Sequence, residues 1–182
     1  MAILRRIFAF AVAGLVMAAA VRAQTGEYKL KAAYLCRFVD FVDWPAGAFA
    51  AEDSPLVIGV LGPDPFGSAL DAVVVGQTSR GHPLEIRRCH SVAEAAHCHV
   101  LFISVAESSK LEAIVRELNG APILTVSDME NFTDRGGMIR FFTENNKIRF
   151  RINPEGAKAC KLAISSRLLQ LAEIAREKSA AP

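Results

Sequence analysis

Apolar residues with helical spacing predict the first helix of the domain, from Glu27 to Asp43. Its apolar face is formed by residues four, four and three positions apart: Leu30, Tyr34, Phe38 and Phe41. Trp44-Pro45 ends the helix, because a residue before proline is pushed out of the α region. The small and polar residues 46–55 then predict a loop.

Short apolar runs predict four strands further along the chain. Three of them are almost continuous apolar runs: Leu56–Leu61, Val100–Ile103 and Ile123–Val126. The other, Leu84–Arg87, alternates between apolar and charged residues and predicts a weaker, half-exposed strand. A helix is predicted between the last two strands, from Glu107 to Leu118, and Asn119-Gly120 ends it. Strands that alternate with helices at this interval are typical of a mostly parallel sheet.

The clearest local prediction is a β-hairpin. Residues 138–144 and 147–152 flank Asn145-Asn146, and asparagine tolerates the left-handed backbone of a two-residue turn. Pairing across this turn sorts the side chains onto two faces. The apolar face is formed by Ile139, Phe141, Thr143, Ile148, Phe150 and Ile152. The other face carries Arg140, Phe142, Arg149 and Arg151.

A last helix is predicted to begin at Asn153-Pro154, where asparagine caps it and proline takes the first helical position. Its apolar stripe is Ala157, Cys160, Ile164, Leu168, Leu171 and Ala175. The whole pattern predicts a single α/β domain with a mostly parallel sheet and flanking helices. A C-terminal β-hairpin and packed N- and C-terminal helices complete the predicted fold.

The first 23 residues have the features of a signal peptide. A basic start precedes an apolar run of about 15 residues, shorter than the roughly 20 that a membrane span needs. Val21-Arg22-Ala23 suits signal peptidase, so cleavage after Ala23 and a periplasmic domain over residues 24–182 are predicted. Without the leader's three arginines, that domain has 18 basic and 19 acidic residues. This balance provides no electrostatic footprint for nucleic acid.

The sequence lacks the residues that three kinds of functional site require. The turn from Gly62 to Ser68 has the glycine spacing of a phosphate-binding loop, but two prolines remove N–H donors and no lysine follows. Phosphoacceptor domains need acidic residues after the first strand, where this chain has glycine and proline. No serine lies in a Gly-x-Ser-x-Gly context, and strand neighbours of Cys98 point away from it. The sequence therefore predicts a non-enzymatic protein without catalytic residues or a cofactor.

A cluster of cysteines and histidines raises the question of a metal site. Cys89-His90 and His97-Cys98-His99 place five potential ligands within eleven residues. On an extended segment His97 and His99 share one face and Cys98 points to the other. The spacings also differ from those of structural zinc sites, so no metal site is predicted.

The pairing of the cysteines is left open by the sequence. Cys36, Cys89, Cys98 and Cys160 could form disulfides in an oxidising compartment, and four cysteines allow three complete pairings. Cys89 and Cys98 could close a small loop, and Cys36 and Cys160 could join the first and last helices. Buried free thiols are an equal alternative, since cysteine is among the most buried residue types.

Six sequence blocks, in order, resemble the YfiR-like family of periplasmic proteins. The first is Tyr28-Lys29-Leu30-Lys31-Ala32-Ala33-Tyr34-Leu35 with Phe38 through Trp44-Pro45. The others are residues 58–62 with 64–66, 98–104, 124–128, 136–139, and 152–153 with 162–169. Together they cover nearly all of the chain after the leader.

The resemblance implies a regulatory role and no catalytic residues. The best-known member of the family is similar to a soluble periplasmic repressor. That repressor binds the sensory domain of an inner-membrane diguanylate cyclase and lowers cyclic-di-GMP output. The resemblance further implies sequestration by an outer-membrane lipoprotein, a homodimer and redox-sensitive disulfides. Only Cys98 stands at a family-typical cysteine position, because position 59 is glycine and residues 133–140 lack cysteine.

Two hypotheses of different class follow. The first is an interaction protein, a repressor acting in cyclic-di-GMP signalling and biofilm formation, with Arg140, Phe142, Arg149 and Arg151 as the contact face. Arginine with aromatics is enriched at protein interfaces. The second is a small-ligand or metal-binding module, whose crevice would lie at the strand ends near Gly62, Ser104 and Ser127-Asp128.

Overall fold

A computed structural model of the chain describes residues 26–175. The predicted signal peptide and its cleavage site lie outside the described residues. The helices are α1 (residues 26–38), α2 (Ser68–Val74), α3 (Val92–Ala95), α4 (Leu111–Glu117), α5 (Pro154–Ala159) and α6 (Ser166–Leu171). Short 3-10 segments cover Val39–Phe41, Val105–Lys110 and Thr133–Arg135.

Ten strands lie within residues 26–175. They are β1 (Val42–Asp43), β2 (Leu56–Leu61), β3 (Thr78–Ser79), β4 (His82–Cys89), β5 (Val100–Ile103), β6 (Leu124–Ser127), β7 (Ile139–Glu144), β8 (Lys147–Ile152), β9 (Ala163–Ile164) and β10 (Glu173–Ile174). The main sheet has the order β10-β8-β7-β6-β5-β2-β4-β3, and β1 pairs with β9 separately.

The central strands β4, β2, β5, β6 and β7 run parallel, which confirms the predicted mainly parallel α/β domain. The β7–β8 pair and the β3–β4 pair are antiparallel. The chain begins the parallel sheet at β2, adds β4 on one side and then returns to add β5 on the other. The carboxyl ends of β2 and β5 therefore flank a topological switch point.

Alternate residues of the central strands pack into two separate cores, because both faces of a parallel sheet are covered. One core joins Ile58, Phe102 and Phe141 of the sheet to α1, α2, α5 and α6. The other joins Leu61 and Ile103 to α3 and α4. Residues of β7 and β8 contribute to the first core, and none of them belongs to the second.

The first helix is shorter than predicted. It ends at residue 38, a 3-10 turn follows, and Val42–Asp43 forms β1. The N–H of Ser165 also donates to the carbonyl of Phe41 at 2.9 Å. The spacing of Phe38 and Phe41 fits a helix, but pairing with β9 draws the chain into an extended conformation at Val42.

The prediction of one continuous last helix is wrong. The N–H of Leu162 donates to the carbonyl of Ala157 at 3.0 Å, and Lys161 has φ +59, so α5 ends in a left-handed turn. Pairing of β9 with β1 and capping by Ser165, which accepts from the Leu168 N–H, then start a new element. Leu171, predicted to lie on the apolar stripe, is 72% exposed.

The predicted hairpin is confirmed in every residue pair from Ile139↔Ile152 to Glu144↔Lys147. Asn145 and Asn146 have φ values of +50 and +57, as a two-residue turn of this kind requires. The N- and C-terminal helices pack into the same core, where Cys36 and Cys160 are both buried. In residues 26–175, no helix has the length and apolar character needed to cross a bilayer.

Candidate functional site

The first residues of α1 contact the carboxyl end of β6. Asp128, the residue after β6, accepts a hydrogen bond from the Tyr28 hydroxyl at 2.7 Å and from Lys31 Nζ at 2.6 Å, both on its Oδ2. Tyr28 and Lys31 are three residues apart and therefore share a face of α1. Lys31 Nζ also lies 2.7 Å from Glu27 Oε1.

This charged group is largely removed from water. The side chains of Lys31 and Asp128 are 4% and 9% exposed. Burial, and then the hydrogen bond to Asp128, raise the pKa of Tyr28 well above its ordinary value, so the phenol stays neutral and donates. Oδ1 of Asp128 is also buried and has no hydrogen-bond partner within the described residues. The site thus keeps one acceptor free.

The crevice predicted at the strand ends is filled by side chains. The side chains of Glu107 and Ser104 pack closely over Gly62, at the switch point. A Cβ added to Gly62 would lie only 2.9 Å from Glu107 Cγ and 3.3 Å from Ser104 Cβ. Phe66 packs edge-on against Phe102 with ring centroids 4.7 Å apart. The Ser127 hydroxyl is fully buried and donates to the carbonyl of Ile103. Asp128, also among the predicted crevice residues, lines a cleft at the end of β6.

The Gly62–Ser68 turn serves the fold. The Phe66 N–H donates to Asp64 Oδ1 at 2.7 Å, and Arg88 bridges Asp64 and Asp71. The helix that follows, α2, has no side-chain cap, and Arg88 neutralises both acids around its start. These contacts agree with a structural turn rather than a phosphate-binding loop.

Arg140, Phe142, Arg149 and Arg151 share one face of the hairpin, as predicted, since Arg140 pairs with Arg151 and Phe142 with Arg149. This open face of β7–β8 has no residue in the core formed by α3 and α4. Phe142 is partly buried there, and its ring lies 5.8 Å from the Arg140 guanidinium carbon. A cationic and aromatic surface on a rigid hairpin therefore lies outside the two cores.

The arginines of the open face differ in their partners. Arg151 pairs with Glu173 at 2.5 Å and Arg149 with Glu144 at 2.9 Å. Arg140 forms no ion pair within residues 26–175, and its Nε is buried without a hydrogen-bond partner. Like charges directly opposite each other on paired strands repel, and Arg140 faces Arg151. In the described residues, only Arg151 of this pair has an acid beside it, Glu173 of β10.

All four cysteines are buried free thiols in this structure. Cys89 Sγ and Cys98 Sγ lie 4.0 Å apart. A Cβ on Gly59 would lie 2.5 Å from Cys98 Sγ, so the absence of a side chain at position 59 makes room for this sulfur. Cys36 Sγ points instead to the Val73 carbonyl.

The histidines next to these cysteines do not converge with them. Among residues 26–175, no three His, Cys, Asp or Glu side chains are arranged to hold a metal ion. His90 and His97 are exposed, whereas His99 is buried behind the loop 46–55.

His99 connects that loop to β2, because its two ring nitrogens bond to Ala48 and Val57. The Val57 N–H can only donate, so Nδ1 of His99 is an acceptor, and Nε2 donates to the carbonyl of Ala48 at 3.1 Å. Phe49 stacks between His99 and His82 with centroid distances of 4.3 and 3.9 Å. Burial lowers the pKa of His99, so the ring is neutral.

We expect the free energy of unfolding to fall as the pH drops from about 8 to about 5, in part because of His99. In the folded protein the pKa of His99 lies below the ordinary value of 6.5. The stability contributed by the neutral ring is therefore complete above pH 6.5 and is lost as the pH falls below 6.5 toward the folded pKa. Urea unfolding of the wild type and His99→Gln across this range measures the effect. The variant should lose less stability than the wild type; equal slopes would contradict the assignment.

Sequence analysis missed the Tyr28–Lys31–Asp128 group, although the residues were part of the family-like blocks. A tyrosine and a lysine three residues apart, and so on one face of the helix, were the available signal. The acid that completes the group is 97 residues further along from Lys31, and sequence spacing cannot bring the two together.

Fold and site together define an α/β domain with a mainly parallel sheet, a filled crevice at Gly62 and Ser104, and an open hairpin face. Residues 28–173 match the model of the YfiR/HmsC-like family, so the chain belongs to that family. This is a periplasmic, regulatory and non-catalytic family, and membership supports a regulatory role in the cyclic-di-GMP pathway. No individual curated protein matches the chain.

Proposed function

We propose that the chain is a periplasmic, non-enzymatic repressor of a membrane-bound diguanylate cyclase and acts by direct protein–protein contact. The observation that supports this best is the open face of β7–β8. Arginine and aromatic side chains meet there on a strand pair that the second core leaves uncovered. Family membership supports the cyclic-di-GMP pathway as the setting.

The hairpin face is held in place by packing on its other side. The opposite face of the hairpin is anchored by Phe38, which stacks on Phe141 at 5.6 Å and packs edge-on against Phe150 at 5.2 Å. A surface held in place in the free protein loses little conformational entropy on binding. Arginine and aromatic anchors carry much of the energy of such interfaces.

The partner in this proposal is the periplasmic sensory domain of an inner-membrane signalling protein. Sequestration of the repressor by an outer-membrane lipoprotein would release the cyclase, and the repressor would act as a homodimer. The filled crevice at Gly62 and Ser104 favours this proposal over a small-ligand module at those residues, because it leaves no space there for a ligand.

Deleting the gene is expected to raise cellular cyclic-di-GMP and biofilm formation. The full chain supplied in trans should restore the low level, whereas a chain without residues 2–23 should not, because it cannot be exported. The nucleotide is measured by mass spectrometry of cell extracts. An unchanged level in the deletion strain, under conditions in which the protein is detected in the periplasm, would count decisively against a repressor.

A further inference from the structure

The hairpin extends beyond the strand beside it. Strand β6 ends at Ser127, opposite Arg140, while β7 continues to Glu144. A cleft of about 480 Å³ occupies the place where β6 would continue. We call it the notch; it is lined by Glu27, Tyr28, Lys31, Val105, Asp128 and residues 140–143 of β7. The Glu27 carboxylate is already paired with Lys31 at 2.7 Å.

The register leaves main-chain groups of β7 facing the notch. In a two-residue hairpin Glu144 and Lys147 form a hydrogen-bonded pair, and such pairs alternate along the ladder. The main-chain N–H and C=O groups of Arg140 and Phe142 therefore bond to β8. Those of Thr143 point away from β8, toward the notch. Because β6 has ended, these groups of Thr143 form a free strand edge.

The side chains around this edge also have unused bonding capacity. Asp128 Oδ1 is buried without a donor in the described residues, and the Asp128 side chain is 9% exposed. Arg140 forms no ion pair in the part of the chain described, unlike Arg149 and Arg151 of the same face. The notch thus combines a free strand edge, one acceptor and one positive charge without a counter-charge.

We propose that the notch binds a short extended segment of a periplasmic protein partner, which pairs with β7 at Thr143 and places an acidic side chain against Arg140. Strand addition of this kind takes affinity from main-chain hydrogen bonds and specificity from neighbouring side chains. Val105, which is 49% exposed, provides an apolar contact beside it. The Glu144 carboxylate of a second copy's hairpin is a poor source of that acid, because it is already paired with Arg149 at 2.9 Å.

This inference rests on the proposed function, since it assigns the contact through which the repressor meets the cyclase. The test uses Thr143→Pro, which removes the outward N–H while leaving the bonds between β7 and β8 in place. Thr143→Ala keeps the N–H and is the matched control. Arg140→Gln removes the charge, and Arg87→Gln, at an exposed position on β4, is its control.

Binding of the mature chain to the purified sensory domain of the cyclase is measured by titration calorimetry. We expect Thr143→Pro and Arg140→Gln to weaken binding by at least about tenfold, and both controls to stay within about twofold. Thermal unfolding shows that each variant is folded. In the wild-type complex, hydrogen exchange at the Thr143 amide should slow by about tenfold or more.

The outcomes separate this inference from the proposed function. If the wild type binds the sensory domain and Thr143→Pro binds equally well, the notch is not the contact, and regulation through another surface stands. If Thr143→Pro disrupts only self-association, the occupant is a second copy and the inference is wrong.

If the wild type does not bind the sensory domain, the proposed function fails, and displayed random peptides then test the notch alone. Enrichment of acidic peptides on the wild type and Thr143→Ala, but not on Thr143→Pro, supports the notch. No such enrichment overturns it.

Discussion

Replacing Asp128 by alanine is expected to destabilise the protein by about 3–5 kcal/mol. The carboxylate is the buried partner of Lys31 at 2.6 Å and also accepts the Tyr28 hydroxyl at 2.7 Å. Its removal leaves an ammonium group that is 4% exposed with Glu27 as its one remaining acid, so the loss should fall near the lower end. Urea unfolding at neutral pH provides the measurement.

A double variant tests whether the cost comes from the buried charge that is left without its partner. Lys31→Met and Asp128→Leu in one chain should recover much of the stability, because removing both members leaves no uncompensated buried charge. Asp64→Ala, which removes a partly exposed partner of Arg88, is a matched control and should cost much less. If Asp128→Ala unfolds at the wild-type urea concentration, the buried pair contributes nothing.

Oxidation of the folded protein is expected to join Cys89 to Cys98 and to leave Cys36 and Cys160 reduced. The two sulfurs lie 4.0 Å apart and must approach to about 2 Å, a movement within reach of side-chain rotation. With glutathione disulfide as the oxidant, the thiols lose two protons and two electrons, and two molecules of glutathione form. Peptide mapping by mass spectrometry after alkylation identifies the bond.

The rate of oxidation and the change in the free energy of unfolding provide two further checks. Burial raises the pKa of the Cys98 thiol to about 12 and also raises that of Cys89, so oxidation should be slow at neutral pH and speed up with rising pH. The bond closes a loop of about ten residues and should add at most about 3 kcal/mol. Cys89→Ser should lose this gain, whereas Cys36→Ser should keep it. A bond to Cys36 or Cys160 would contradict the geometry.

The hairpin shows what local sequence can determine. Its turn residues, register and two faces follow from Asn145-Asn146 and the alternation of side chains, because each feature depends on residues close together in the chain. The buried strands β2 and β5 were predictable for the same reason, since continuous apolar runs of that length fit a covered parallel sheet. The face with Arg140 and Phe142 was therefore defined before the structure, and its role as a contact surface stays a prediction.

The C-terminal region shows what local sequence could not determine. Residues 154–175 have helical spacing, yet Ala163–Ile164 pairs with a strand more than 100 residues earlier, and Lys161 adopts a left-handed conformation without the glycine that usually signals one. The pairing of β9 with β1 depends on a distant segment, so the local pattern of residues 154–175 cannot predict it.

The sequence by itself determined the α/β class, the hairpin and the choice of residues on its open face, because hydrophobic periodicity and turn chemistry act over a few residues. Only the tertiary structure brought Tyr28 and Lys31 to Asp128, placed Cys89 beside Cys98, and ended β6 short of β7 to form the notch. Each of these depends on where distant segments meet, and that is decided by the packing of α1 and the strand order of the sheet.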